Sequence, residues 1–326
     1  MMAKLKNDIA QWIMVVVIAA GALIIQFHTL FDLRVPKLIE NIMPKQALPM
    51  RVQNYPEYLA LDHDIEQLTA GGEKLTVLSS NDVLNDDMLN TISDLRLKNR
   101  INYIGQVDLR DGINFAALNS KYFIVTDPVQ IHLRADGQRV ITVPTESLLE
   151  HQNIGQAFRP LNREYKLNNK VTARIYERTR SFTPKEVNDF LNIFYQYYPQ
   201  WKQIYNQGFD TASLSAIVHK GDEWGQFVIV DNNTVYAHPG EHTPTQVNWE
   251  LNGVRQLVIK SLNKSCNVDD TIHISISGSG LPTADINVAK GAEAVLNVAP
   301  WDGKTSTLTI SKNHSSGCDS INIFAR

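Results

Sequence analysis

One uncharged apolar run, Ile9 to Phe27 (IAQWIMVVVIAAGALIIQF), constrains this chain more than any other feature, because nothing like it recurs and it bears on both compartment and topology. At a helical rise of about 1.5 Å per residue it nearly crosses a hydrocarbon core of roughly 30 Å. Trp12 and Phe27 stand where interfacial aromatics belong, and β-branched Val15, Val16, Val17 and Ile18 fill the centre. A cleaved signal peptide is the rival reading, with Lys4 and Lys6 as a positive n-region and Ala20-Gly21-Ala22 as a small-residue cleavage site. Leu23-Ile24-Ile25 carries the apolar run past that site, which favours an uncleaved single-pass anchor. Lys4 and Lys6 argue for a cytoplasmic N-terminus, and Arg34 and Lys37 on the far side count against it. The chain beyond about residue 32 is then expected outside the cytoplasm, in the periplasm or at the cell surface, with the bilayer as its first partner.

The 326 residues are 43% hydrophobic and 20% charged, which suits two globular domains beyond the anchor and argues against a disordered tail. A net charge of -3 and the lack of any Lys/Arg run disfavour nucleic acid as a partner. The two cysteines, Cys266 and Cys318, read as a disulfide in an oxidising compartment. Closing a loop of roughly 50 residues, it would be worth about 4 kcal/mol in the chain-entropy model. Without paired histidines nearby they do not form a zinc site, and neither a metal nor a cofactor is expected.

Residues 1–31 form the cytoplasmic tip and span, and 32–56, punctuated by Pro36, Pro44, Pro49 and Pro56, read as a membrane-proximal linker. An α/β domain is expected over 57–205. Asp62 reads as the cap of a helix running to Gly71-Gly72, Lys74 to Ser79 as a buried strand, Asn81 to Leu95 as a helix and Lys121 to Thr126 as a second buried strand. Arg139 to Val143 and Val171 to Glu177 add strand candidates. Thr183-Pro184 opens a helix whose Val187, Phe190, Leu191, Phe194 and Tyr198 form one stripe, better explained by packing than by a ligand groove.

After Trp201 short β-rich runs follow one another: Ser213 to His219, Gln226 to Val230, Gln246 to Leu251, Gln256 to Lys260, Thr271 to Ser277, Ala294 to Val298, Thr305 to Ile310 and Ser320 to Phe324. Turn-rich stretches divide them, so 206–326 is expected to be an all-β sandwich.

Chemical signals are sparse. Asp62-His63-Asp64 is a D-x-D triplet of the kind that can hold a divalent cation, but carboxylates at a helix start are better explained by capping. His238-Pro239-Gly240-Glu241-His242 groups two imidazoles and a carboxylate, yet Pro239-Gly240 forbids the helix a metalloprotease needs, and a turn between strands fits better. No P-loop, dinucleotide fingerprint or G-x-S-x-G elbow occurs. Trp224, Tyr236, Trp249 and Trp301 are candidates for stacking on sugar rings, although core or edge packing is the commoner role of each, with His238 and Glu241 beside them as ligand contacts. If the α/β domain is catalytic, Asp111, Asp127 and His132 are the acid/base candidates at strand ends; local capping or turn hydrogen bonding is the better explanation of each.

Leu75 to Leu89, Val107 to Gly112 (VDLRDG), Tyr122 to Leu133 (YFIVTDPVQIHL), Gln138 to Pro144 and Val171 to Arg178 together resemble the extracytoplasmic C-terminal region of bacterial family 39, protein mannosyltransferase-like, polytopic glycosyltransferases. That resemblance implies a partner of that class and a polyprenyl-linked sugar nearby. Those enzymes have about a dozen membrane helices and a catalytic carboxylate in a loop that this chain lacks, so no catalytic residue carries over. Val235 to Leu251 is similar, more faintly, to carbohydrate-binding modules of the galactose-binding, jelly-roll-like sandwich class. Three functional readings follow: a membrane-anchored, non-catalytic accessory module for glycan or lipid-linked sugar, a detached transferase tail taking part in sugar transfer, or a structural envelope protein that binds other proteins.

Overall fold

The computed structural model describes residues 2–31, 37, 52–262, 271–313 and 319–326. Cys266 and Cys318 lie outside the described residues, as does most of the expected linker. Helix α1, Met2–Phe31, contains a stretch from Ile9 to His28 with a mean hydropathy of 2.2, long and apolar enough to cross a membrane. Its apolar side chains, Trp12 and Val15 to Ile18 among them, are exposed around the helix and pack into no protein core.

Residues 54–326 form a separate compact unit. Its first half is built on a mixed sheet. β1 (Leu75–Leu78) sits between β2 (Ile101–Asn102) and β3 (Tyr122–Asp127), all parallel, and β5 (Thr172–Arg178) and β4 (Phe158–Lys166) continue the sheet antiparallel in the order β2-β1-β3-β5-β4. β1 is buried along its whole length and β3 up to Thr126, as strands covered on both faces require. β4 escapes sequence reading because it is a charged edge strand, with Arg159, Arg163, Glu164 and Lys166 and a register break between Pro160 and Glu164.

Two helices differ from expectation. The helix expected to start at Asp62 starts at Tyr55, with Pro56 in its first turn, so Pro56 belongs to the helix and Asp62 is a buried mid-helix residue facing Arg96 at 3.5 Å. Arg139 to Val143, expected as a strand, is the first part of a helix, Arg139–Leu149. Its β-branched run, Val140 to Val143, has strand propensity, but the Asp108 carboxylate accepts the N–H groups of Arg139 and Val140, both at 2.9 Å, and anchors the helix start. The remaining helices are Asp86–Ile92, Asp108–Asp111, Phe115–Leu118, Pro184–Tyr197, Trp201–Tyr205 and Asp210–Ser215. Asp86–Ile92 is shorter than the expected Asn81 to Leu95, because Asn85 caps it by accepting Met88 N–H at 2.7 Å. Thr183 and Glu186 form a reciprocal capping box on Pro184–Tyr197, whose Val187, Phe190, Leu191 and Phe194 pack into the core with Phe158 and Phe182.

The second half is a sandwich of two five-stranded antiparallel sheets. One orders Glu293–Asn297, Gln256–Ser261, Ile321–Ala325, Thr234–His238 and Gln226–Asp231; the other orders Leu281–Val288, Ile272–Gly278, Thr305–Lys312, Thr245–Glu250 and Ile217–His219. Val235, Ala237, Leu257, Ile259 and Ile323 of the first meet Val247, Trp249, Ile274, Leu308 and Ile310 of the second in one core. Two strands were not expected. Leu281–Val288 is an edge strand with most side chains exposed, and Thr234–His238 runs directly into the Pro239-Gly240 turn. Ser213 to Ser215, expected as strand, is instead the end of the helix Asp210–Ser215.

Candidate ligand-binding cleft

A concavity of about 910 Å³ lies where the α/β half meets the sandwich. On the α/β side it is lined by one rim of the mixed sheet. Lys121 N–H bonds the carbonyl of Lys74 at 3.0 Å, and Arg178 N–H bonds the carbonyl of Lys121 at 2.8 Å. Parallel pairing of β1 with β3 and antiparallel pairing of β3 with β5 therefore bring Lys74, Lys121 and Arg178 side by side. This rim is the amino end of the parallel strands, opposite the carboxyl-end crevice where open α/β sheets usually take ligands.

Lys121 Nζ donates to the Arg178 carbonyl at 2.6 Å and pairs with Glu177 at 3.2 Å, whose other partner is Arg159. Arg178 Nη1 donates to Asn119 Oδ1 at 2.5 Å, and the guanidinium lies 5.3 Å from the Phe182 ring centroid. Among the described residues no carboxylate pairs with Arg178. Burial pushes its pKa below the usual arginine value. Asn102 and Asn114 add amides to this wall.

The sandwich side is different in kind. Gln226–Asp231 is the edge strand of its sheet, and its outward Val228 and Val230 are exposed to the cleft, with Val218 beside them. Between the walls Asp210 bonds the Asn232 side chain, and burial pushes its carboxyl up to about 6.

Two glycines allow close approaches beside the cleft, one within each half. Gly208 has φ +62 and approaches so closely that a Cβ there would lie 2.1 Å from the Asn232 carbonyl, which accepts Phe209 N–H at 2.6 Å. At Gly112, φ +66, a Cβ would lie 2.0 Å from Tyr205 Oη, which accepts Ile113 N–H at 3.0 Å.

Of the residues singled out by sequence, only Asp111 lines this cleft. Its Oδ2 accepts Gln106 N–H at 2.7 Å, Val107 N–H at 2.9 Å and Tyr103 O–H at 3.1 Å, and Arg110 Nε donates to Oδ1 at 2.6 Å. The Arg110 guanidinium, followed by the two amides, holds its carboxyl well below the usual carboxylate range. Asp127 is exposed at the end of β3. Exposed His132 sits beyond the carboxyl end of β3, its Nδ1 3.0 Å from Ser80 Oγ, and buried Gln138 donates to that same Oγ at 3.0 Å. No hydrogen bond or ion pair joins Asp111, Asp127 and His132 among the described residues.

The aromatic candidates do not converge either. Trp249 and Trp301, 1% and 2% exposed, are buried in the sandwich core, Trp249 stacked on Phe209 at 5.6 Å, so neither offers a face to a sugar. Trp224 is 55% exposed in the loop before Gln226–Asp231, away from the cleft lining. Tyr236 lies on the outer face of its sheet, opposite Asn322 and Val228.

His238 is committed elsewhere: its Nε2 pairs with Asp319 Oδ1, and Lys312 Nζ pairs with Asp319 Oδ2. The Asp319 carboxylate raises the His238 pKa. Asp319, although burial opposes it, is held below its ordinary value by His238 and Lys312. Glu241 falls in the 239–244 turn, which is organised by Asp222: its Oδ2 accepts the N–H groups of His242 at 3.0 Å and Thr243 at 3.2 Å. His242 is thus tied through its backbone and His238 through its ring, each to a different carboxylate.

Sequence reading missed the cationic rim. Its one signal was present: strands beginning at Lys74 and Lys121 and one ending at Arg178 share a rim once the last is known to run antiparallel.

No family model matches this chain, and no curated protein matches it, so the glycosyltransferase resemblance rests on its motifs alone. Among solved structures the chain aligns with the module TmCBM61 in complex with β-1,4-galactotriose, at 14% identity and TM-score 0.24 over 37% of this chain and 91% of the other. The CBM22-1–GH10 modules of Clostridium thermocellum xylanase 10B with xylohexaose align at 10% identity and TM-score 0.22, over 34% of this chain and 25% of that one. The xylan-binding module CBM86 of Roseburia intestinalis aligns at 11% identity and TM-score 0.21, over 34% and 91%. Likeness at this level leaves the function to be read from the geometry of the cleft.

Proposed function

We propose that this chain is a glycan-binding protein, held at a membrane by Ile9–His28, whose ligand lies in the cleft between the α/β half and the sandwich. The observation that carries this reading is the pairing of unlike walls. Asn119, Lys121 and Arg178 form a polar wall along one side, where Asn102 and Asn114 spend their Nδ2 groups on Ala116, Ser120 and Tyr103, and exposed Val228 and Val230 offer an apolar strip on the other. A pyranose ring has the same division, hydroxyls around its edge and C–H groups on its face, and a cleft with few fixed polar groups on an apolar wall suits it.

Asp111, the sequence-selected carboxylate in the cleft, is engaged by Arg110 and two amides and held ionised, so it does not serve as a general acid near neutrality. The family resemblance adds the context: an extracytoplasmic module beside a polytopic glycosyltransferase handling lipid-linked sugar.

A glycan array read with the detergent-solubilised full chain, followed by calorimetric titration of the hits, tests the binding. Binding weakened by V228D and unaffected by W224A supports the cleft, and binding to no glycan sinks the reading. Recovery of a polytopic transferase on mild purification from the membrane tests the context, and its absence from repeated cross-linked preparations would remove it.

A further inference from the structure

Arg178 stands out within this cleft. A guanidinium carries five donors, and here one is spent on Asn119 while no carboxylate among the described residues balances the charge. The other arginines of this sheet are each paired: Arg159 with Glu177 at 2.7 Å, Arg163 with Asp64 at 2.9 Å and Arg174 with Glu164. Lys121 lies next to Arg178 along the rim and Lys74, whose Nζ donates to the Asn99 carbonyl, lies one strand further on, while the acidic residues lining the cleft have other partners. Asp111 is bound by Arg110, Glu73 folds back over Gly71, Asp210 bonds Asn232, and Asp231 accepts Asn233 N–H at 2.8 Å. Half-buried against Phe182, the guanidinium has lost part of its water without gaining a counter-charge. Its planar fork suits two parallel hydrogen bonds to a carboxylate or phosphate.

We propose that this rim is an anion subsite: Arg178, with Lys121 and Lys74 beside it, receives the acidic group of a negatively charged glycan, either a uronate carboxylate or a sugar phosphate. The inference rests on the cleft being the glycan site, and adds the class of ligand. The neutral part of the sugar lies toward Val228 and Val230, and its charged substituent toward the rim.

The test uses the detergent-solubilised full chain on an array carrying matched acidic, methyl-esterified, neutral and phosphorylated oligosaccharides, at fixed ionic strength. A charge-assisted contact predicts roughly 10- to 100-fold tighter binding of an acidic or phosphorylated oligosaccharide than of its uncharged match. Preference for uronate over phosphate, or the reverse, identifies the source of the negative group. R178Q is expected to remove the preference, weakening the charged oligosaccharide far more than its uncharged match, and R178K to keep part of it; thermal midpoints equal to wild type establish that both variants fold. Binding of uncharged and charged matches alike, or a preference that survives R178Q, overturns the anion subsite and leaves the glycan cleft standing. Binding to no member of the array overturns both.

Discussion

Each half of the large unit buries a carboxylate, and the two do it differently. Asp108 in the α/β half is 1% exposed and takes donors that stay put: the N–H groups of Arg139 and Val140 and the Tyr198 hydroxyl, the last at 2.6 Å. Asp319 in the sandwich is 0% exposed and takes side-chain cations, His238 and Lys312. The first arrangement pins a helix start to a distant turn. The second ties Thr234–His238 of one sheet to Thr305–Lys312 of the other, and one of its members changes charge near neutrality. A buried carboxylate can therefore serve either as a cap or as a counter-ion, and only the counter-ion makes stability depend on pH in the physiological range.

The contrast can be broken in order of effect. D319N takes the shared negative charge from two partners in a buried setting and is expected to cost about 3–5 kcal/mol in denaturant unfolding of the full chain. D108A leaves two helix N–H groups and a phenol without their acceptor, an expected loss of roughly 2–4 kcal/mol. A D108A loss below that of a surface substitution would show that water replaces the carboxylate and that the cap is dispensable.

The pH profile comes next. His238 has a raised pKa in the fold, so its contribution is complete below its unfolded value of about 6.5 and fades as pH rises through the folded value. Asp319 has a lowered one, so its contribution is complete above about 3.9 and fades as pH falls through its folded value. The thermal midpoint of wild type relative to H238Q should therefore fall as pH rises above about 6.5, whereas D108A relative to wild type should show no such slope, since its lost donors keep their protons around neutrality. Parallel profiles for the two variants would erase the distinction.

Smaller effects separate the cleft from the sandwich surface. Asp210, pushed up to about 6, loses its charge as pH falls from about 7 to 5, so affinity for an anionic glycan should rise several-fold over that interval, and D210N should flatten the rise. W224A removes an exposed ring that lies outside the cleft lining and should change stability by less than about 0.5 kcal/mol and glycan affinity not at all. A loss of binding in W224A would move the site from the cleft to the sandwich loop.

Legibility followed the range of the forces. β1 and β3 could be read because strands covered on both faces are apolar throughout, and most sandwich strands because their burial alternates. The start of Pro184–Tyr197 could be read because a capping Thr183 followed by Pro184 is a signal complete within two residues. Arg139–Leu149 could not, because its β-branched start favours a strand until Asp108, thirty-one residues away, supplies its cap. Trp249 and Trp301 carry no local mark that separates a core ring from an exposed one.

The sequence by itself determined what a short window of side chains can encode: an apolar helix from Ile9 to His28, the buried and alternating strands, and the polar turn around Pro239-Gly240. Tertiary structure alone decided where charge is left uncompensated. Lys74, Lys121 and Arg178 are separated by about fifty residues each and become neighbours only through strand order and direction. Whether Arg178 meets a carboxylate or an open cleft depends on what the fold packs against it, since an ion pair is a matter of a few ångströms and sequence separation places no bound on them.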